Sequence, residues 1–205
     1  MSKVFVCFFP ALLFSFYSNA QSSQHKPQMI MHRVDDTTKD ASGWYYAKST
    51  EGNFSVSLPA RFNDFTIQEA SKKAKRKAKM YVVGGYNPDG IQFSATKMPM
   101  ADGESLESLV KDMTTSTAPL GPASDMKKEK YQNHNSISVT STKDSTGRFT
   151  KYIQLGNSYV MVQSIVFTTA NKKAAAACAD RFFSSLKILG STESSVSKRV
   201  HRKTS

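Results

Sequence analysis

Cysteine is nearly absent from this chain of 205 residues, which carries only Cys7 and Cys178. Because Cys7 lies in a segment that we expect to be removed, the folded part keeps one thiol and cannot form an internal disulfide. The fold must therefore be stabilised by its hydrophobic core. Cys178 lies on the apolar stripe of a predicted helix, which favours a buried, inert thiol, and an intermolecular disulfide is the alternative.

Histidine is also scarce, and motifs that carry chemistry are missing. His25, His32 and His201 lie in predicted tails and His134 lies in a predicted turn, so no group has the spacing of metal ligands. No Gly-x-Ser-x-Gly elbow is found, and Gly84-Gly85 is followed by no helix that could hold a phosphate. We predict no catalytic residues, no metal and no cofactor, and favour a non-enzyme. An enzyme whose site residues are dispersed along the chain is the alternative.

Long hydrophobic runs are lacking apart from one short stretch near the N-terminus. Val4–Tyr17 carries no charge, Lys3 precedes it, and Ser18-Asn19-Ala20 places small residues where signal peptidase reads the chain. The stretch is shorter than the roughly 20 residues that a membrane-spanning helix needs. We therefore predict cleavage after Ala20, no transmembrane anchor after cleavage, and an exported protein, periplasmic or secreted. A retained N-terminal anchor is the alternative.

Negative charge is the scarcer sign, since 16 acidic and 28 basic residues give a net charge of +12 at pH 7. This balance favours acidic partners such as anionic lipid or polysaccharide. Export and the lack of interleaved aromatic residues in the basic clusters argue against genomic nucleic acid as a partner. A solvated hairpin tip is the alternative reading of the main basic cluster. The predicted anion contacts, which we call the basic run, are Lys72, Lys73, Lys75, Arg76, Lys77 and Lys79.

Alternation of apolar and polar residues predicts several strands. Phe54–Leu58 alternates until Pro59, which has no N–H group for a ladder hydrogen bond. Asn87-Pro88-Asp89-Gly90 has the composition of a tight turn and predicts a hairpin. A second hairpin signal is Gly156-Asn157. The strand after it, Tyr159–Thr168, is apolar on both faces and is therefore predicted to lie centrally.

Two stretches have the period of a helix. Leu106, Leu109, Val110 and Met113 follow the i, i+3, i+4, i+7 pattern, and Asp102 or Ser105 is the predicted N-cap. A second apolar stripe lies between residues 175 and 186. Asp102, Glu104 and Glu107, at the start of the first of these helices, resemble a carboxylate cluster. The positive N-terminal end of the helix dipole explains them.

Together these elements predict an α+β class, with an antiparallel, hairpin-rich sheet covered by two helices. The predicted organisation is a signal peptide over residues 1–20, a flexible leader over 21–42, one domain over 43–190 and a disordered basic tail over 191–205. Within the leader, Met29-Ile30-Met31 is the only apolar spot, and it either docks on the domain or collapses on itself.

The order of elements resembles the PsbP-like proteins. The resemblance rests on Trp44-Tyr45-Tyr46 leading into Phe54–Pro59, on the helix at Leu106, and on a closing helix that ends in Arg181–Leu186. It covers roughly residues 43 to 190. The resemblance implies the α/β/α sandwich of the Mog/PsbP fold and a role in binding more often than in catalysis, and it carries no functional residue to this chain.

The predicted function is an exported, non-enzymatic binding or accessory module that meets an unknown protein partner in the cell envelope. Its contact surface is expected in a groove between sheet and helix or along an edge strand. Trp44, Tyr45 and Tyr46 are candidate groove aromatics, although such residues more often form an aromatic cluster at the edge of the core. Binding of an anionic surface through the basic run is the alternative function.

Overall fold

A computed structural model describes residues 28–32, 38–68, 79–115 and 122–189. The predicted signal peptide, the tail over 191–205 and all of the basic run except Lys79 lie outside these ranges. The described residues form eleven strands and two α-helices. In chain order these are β1 (Gln28–His32), β2 (Tyr45–Lys48), β3 (Phe54–Leu58), β4 (Asn63–Gln68), β5 (Lys79–Tyr86), β6 (Gln92–Pro99), α1 (Leu106–Met113), β7 (Ala123–Tyr131), β8 (His134–Lys143), β9 (Thr146–Leu155), β10 (Tyr159–Thr168), α2 (Lys172–Ser184) and β11 (Lys187–Ile188).

Eight strands form one large sheet in the order β1-β4-β5-β6-β10-β9-β8-β7. Every neighbouring pair in this sheet is antiparallel. The other three strands form a small sheet in the order β11-β3-β2. Strands β1 and β7 are therefore the two edges of the large sheet, and β10 joins its two halves.

The predicted α+β class, an α/β/α sandwich covered by two helices, is wrong, because the fold is largely β. Among the described residues, two sheets of eight and three strands stand against two α-helices of 8 and 13 residues. Helix α1 packs mainly on β8 and β9, and α2 packs mainly on β10, β3 and β9. Neither helix is long enough to cover a sheet of eight strands. The small sheet covers part of the same face as α2.

The hydrophobic core lies on both faces of the large sheet. On the face that carries α2, which we call the α2 face, Phe182 packs edge-on against Phe93 with ring centroids 5.5 Å apart. The small sheet adds Phe54 and its neighbours to this core. On the opposite face, the α1 face, Leu109 and Val110 of α1 pack on Tyr152 and other residues of β8, β9 and β10. Each face therefore has its own apolar layer.

Several local predictions are confirmed. Phe54–Leu58 is a strand, and Gly90 closes the predicted turn with a φ of 76° and an N–H that donates to the Asn87 carbonyl. The hydroxyl of Ser105, and not Asp102, caps α1 by accepting from the Ser108 N–H. Strand β10 is central, as its two apolar faces predicted, with β6 on one side and β9 on the other.

The structure also decides points that the sequence left open. Met29-Ile30-Met31 docks on the domain, since β1 pairs with β4 over its whole length. Gly84 and Gly85 lie inside β5, and a Cβ atom at Gly85 would lie only 1.9 Å from the Arg61 carbonyl oxygen. Close approach of backbone therefore explains the glycine pair. No helix in the described ranges is both long and apolar enough to cross a membrane.

Candidate binding cleft

A cleft of about 950 Å³ lies on the α2 face, between α2 and the edge of the large sheet formed by β8 and β7. It exists because α2 packs mainly on β10, β9 and β3 and leaves β8 and β7 beyond its edge. The helix also presents small side chains, Ala176 and Ala179, to this space. We call it the α2 cleft. Its lining includes Asp125, Lys127, Glu129 and Tyr131 of β7, Ser138 and Thr140 of β8, Phe149 and Lys151 of β9, and Asp180, Arg181 and Phe183 of α2.

Three polar side chains meet on the floor of the α2 cleft. The pairing of Ser138 with Lys151 across β8 and β9 brings their side chains to one face, beside Glu129 of β7. The Glu129 carboxylate accepts a hydrogen bond from the Ser138 hydroxyl at 2.8 Å and binds the Lys151 ammonium at 2.8 Å. Lys127 lies 3.8 Å from the other carboxylate oxygen. The floor is therefore a charged, hydrogen-bonded group held by three strands.

This arrangement favours the ionised form of Glu129. The Lys151 ammonium, helped by the Ser138 hydroxyl and against a smaller effect of burial, holds the pKa of Glu129 below its ordinary value. Side-chain exposure is 16% for Lys151 and 26% for Glu129. The ion pair is thus shielded from water far better than a typical surface pair and keeps a fixed geometry.

Aromatic rings form the walls around the ion pair. The Lys151 ammonium lies 5.4 Å from the Tyr131 ring centre and 5.7 Å from that of Phe183, which is the range of cation–π attraction. Tyr131 is fixed by its hydroxyl, which donates to the Leu186 carbonyl at 2.9 Å. Burial raises the pKa of Tyr131, so this hydroxyl keeps its proton. The walls offer flat apolar surface beside a charged floor.

Arg181 lies at the end of the α2 cleft and connects it to the predicted groove aromatics. Its guanidinium stacks 4.3 Å above the Trp44 ring and forms an ion pair with Asp40. Tyr45 is buried and Tyr46 is exposed, as neighbours in a strand alternate. Trp44, Tyr45 and Tyr46 are not among the residues that line the cleft, and Trp44 reaches it only through Arg181.

The basic run falls largely outside the described ranges. Among the described residues next to it, Gln68 at the end of β4 pairs with Lys79, the first residue of β5. Lys79 forms an exposed ion pair with Glu51 at 3.4 Å. Lys72, Lys73, Lys75, Arg76 and Lys77 lie outside the described ranges.

The other candidates from the sequence are dispersed. Burial, together with the nearby Asp89 carboxylate, raises the pKa of the Cys178 thiol, which is half-buried against the core. Glu104 accepts a hydrogen bond from the Ala101 N–H, and Glu107 forms an ion pair with Lys128 at 3.1 Å. Within the part of the chain that the structure describes, no three His, Cys, Asp or Glu side chains are placed to hold a metal ion.

Sequence reasoning missed the residues of the cleft floor. Glu129 lies in a stretch that reads as a weak strand, and Ser138 and Lys151 look like ordinary outward-facing residues. The available signal was the alternation of Ser136, Ser138 and Thr140 with apolar residues, which places polar side chains on one covered face of β8.

The sequence matches no protein-family model and no curated protein.

Proposed function

We propose that this protein is an exported, non-enzymatic binding module, and that the α2 cleft holds an extended segment of a protein partner in the cell envelope. The α2 cleft is the observation that carries the proposal, because it is large, open at the surface and lined by aromatic and charged side chains. Its residues make contacts with one another that fix them before any partner arrives. A binding site that is fixed in advance loses little entropy on association.

The dimensions of the cleft favour an extended peptide. Strand β7 contributes lining residues from Asp125 to Tyr131, a length of about 20 Å at about 3.4 Å per residue. Helix α2 contributes residues from Ala176 to Ser184, about 12 Å at about 1.5 Å per residue. This trough matches four to six residues of extended chain, at roughly 3.3 Å each. Apolar side chains of the segment would contact the rings, and its polar groups would meet the Glu129–Lys151 pair.

The edge of β7 is a poorer contact surface than the α2 cleft. Its exposed charges, which include Lys127, Lys128 and Lys130, and the irregular pairing near Ser124 are features that protect an edge strand from pairing with another chain. A partner is therefore expected to lie in the cleft and not to extend the sheet.

Matched tryptophan variants on α2 test the site. Ala176 lines the cleft and is exposed, whereas Ala177 is also exposed but does not line it. Peptides selected from a random display library on the purified protein provide the ligand. We expect Ala176→Trp to weaken their binding at least about tenfold, a loss of about 1.4 kcal/mol, and Ala177→Trp to leave it unchanged. Equal effects of both variants, or no selected peptide at all, would contradict the proposal.

The export half of the proposal has its own test. Expression of the full chain in a bacterium, followed by fractionation and mass measurement, should find the protein outside the cytoplasm with Gln21 as its first residue. A cytoplasmic protein that keeps residues 1–20 would contradict export without affecting the cleft.

The alternative function is binding of an anionic surface through the basic run. Its support is the sequence, in which six basic residues fall within the eight positions from Lys72 to Lys79. Such binding should weaken steeply with salt. Sedimentation with vesicles containing anionic lipid tests this, using alanine at positions 72, 73, 75 and 77, with alanine at Lys172 and Lys173 as an exposed control. Binding that ignores salt or survives the first set would reject it.

A further inference from the structure

The α1 face carries a buried arginine that has no counter-charge among the described residues. Arg148 of β9 is only 9% exposed, and its Nε atom has no hydrogen-bond partner within the part of the chain that the structure describes. No ion pair with Arg148 is found within the described ranges. Since a guanidinium cannot lose its proton in a protein, this side chain stays charged where charge is strongly unfavourable without a partner.

A second unsatisfied polar atom lies directly beside it. Ser141 of β8 pairs with Arg148 across the sheet, and its hydroxyl oxygen is also buried without a partner. Paired residues on neighbouring antiparallel strands have side chains on the same face, roughly 5 Å apart at Cβ. Two orphaned polar groups that adjoin each other call for one common explanation.

Further hydroxyl groups lie on the same face of the sheet. Thr150 lies two residues from Arg148 on the same face of β9, and its hydroxyl oxygen is 3.5 Å from that of Ser164 on β10. Burial raises the pKa of Tyr152, and the charge of Arg148 opposes this with a smaller effect. Arg148 therefore shares the α1 face with hydroxyl groups of neighbouring positions, and no carboxylate of the described residues forms an ion pair with it.

We propose that Arg148 and Ser141, with Thr150 beside them, form a binding site for a free oxyanion, a carboxylate or a phosphate group. A guanidinium donates two parallel hydrogen bonds to the paired oxygens of such a group, and the hydroxyl groups donate to those that remain. The small exposed fraction of Arg148 provides the route of entry. This site lies on the face opposite the α2 cleft and does not depend on the function proposed for that cleft.

The first test measures thermal stability of the purified full-length protein with inorganic phosphate and, separately, acetate, at constant ionic strength. At ten times the dissociation constant, the ligand should raise the melting temperature by about 3–6 °C. The variants are Arg148→Met, which removes the charge, and Lys143→Met, which removes an exposed charge two residues from Ser141 on the same face. We expect Lys143→Met to keep the ligand-dependent shift and Arg148→Met to lose it.

A second measurement does not require a variant that folds. In a nitrogen-15 spectrum of the unmodified protein, the Nε–H signal of Arg148 should move on addition of phosphate or acetate and saturate with the same dissociation constant as the thermal shift. An Nε–H signal that neither anion moves would overturn the proposal, as would an equal thermal response of Arg148→Met and Lys143→Met. The first of these results would mean that water or an acidic group of the chain itself occupies the site.

Discussion

Removal of the Glu129–Lys151 pair should destabilise the protein more than removal of any exposed ion pair. The pair has an N–O distance of 2.8 Å and two largely covered partners. Exposed pairs contribute about 0.2–1 kcal/mol in double-mutant cycles, and hydrogen bonds to charged groups contribute about 1.5–3 kcal/mol. The Glu129–Lys151 pair is less exposed than a surface pair but is not fully buried. We therefore expect a coupling free energy between those two ranges, about 1–2 kcal/mol at pH 7.

The assay is a double-mutant cycle with Glu129→Gln, Lys151→Met and the double variant, measured by urea unfolding. A loss of 1 kcal/mol should lower the melting temperature by about 2–4 °C in a protein of this size. The control cycle uses Glu51 and Lys79, whose nitrogen and oxygen are 3.4 Å apart and whose side chains are 38% and 41% exposed. This second pair should couple by about 0.5 kcal/mol or less.

The dependence on pH provides an independent check of sign. Lys151 lowers the folded-state pKa of Glu129 below the ordinary value of 4.5. The stabilisation is therefore complete above that ordinary value and is lost as the pH falls through the depressed folded-state pKa. A coupling equal to that of the control pair, or one that persists undiminished after Glu129 is fully protonated, would refute the reasoning.

Three further predictions concern the fold. Phe182→Ala should cost about 3–5 kcal/mol in the free energy of unfolding, because Phe182 is fully buried and joins α2 to the sheet; a loss below about 2 kcal/mol by chemical denaturation would contradict this packing. Gly85→Ala should prevent correct pairing of β5, because its Cβ would overlap the Arg61 carbonyl, whereas Ser94→Ala on the neighbouring strand should be tolerated; equal circular dichroism melting curves would be the contrary result. Ser105→Ala should cost about 1 kcal/mol as a lost helix cap, and Ser105→Asp should restore it in the same unfolding assay.

The local elements follow from sequence because their causes are local. Alternation over Phe54–Leu58, the turn residues at Asn87–Gly90 and the helical stripe of α1 each depend on a few neighbouring residues, and each prediction is confirmed. The fold class was wrong because it depends on how much of the chain is strand. Strand β7 is mostly exposed and charged, so it lacks the apolar alternation by which other strands are recognised.

The candidate sites were harder to foresee than the elements. The cleft floor combines Glu129, Ser138 and Lys151 from three strands, and the pairing register decides which side chains meet. The same is true of Ser141 and Arg148, which are separated by one hairpin and meet only because β8 and β9 pair in this register. A single sequence shows the alternation within each strand but not the alignment between strands.

The central position of β10 governs when the molecule can become compact. Within the large sheet, β10 (Tyr159–Thr168) joins β1, β4, β5 and β6 to β7, β8 and β9, and α2, which follows β10, completes the core. Closure of the sheet therefore waits until more than three quarters of the chain has been synthesised, and the contacts that form last are distant in sequence. Such topologies fold slowly. Late closure leaves the growing chain unfolded for longer, which would suit the passage through a translocation channel that the export proposed above requires.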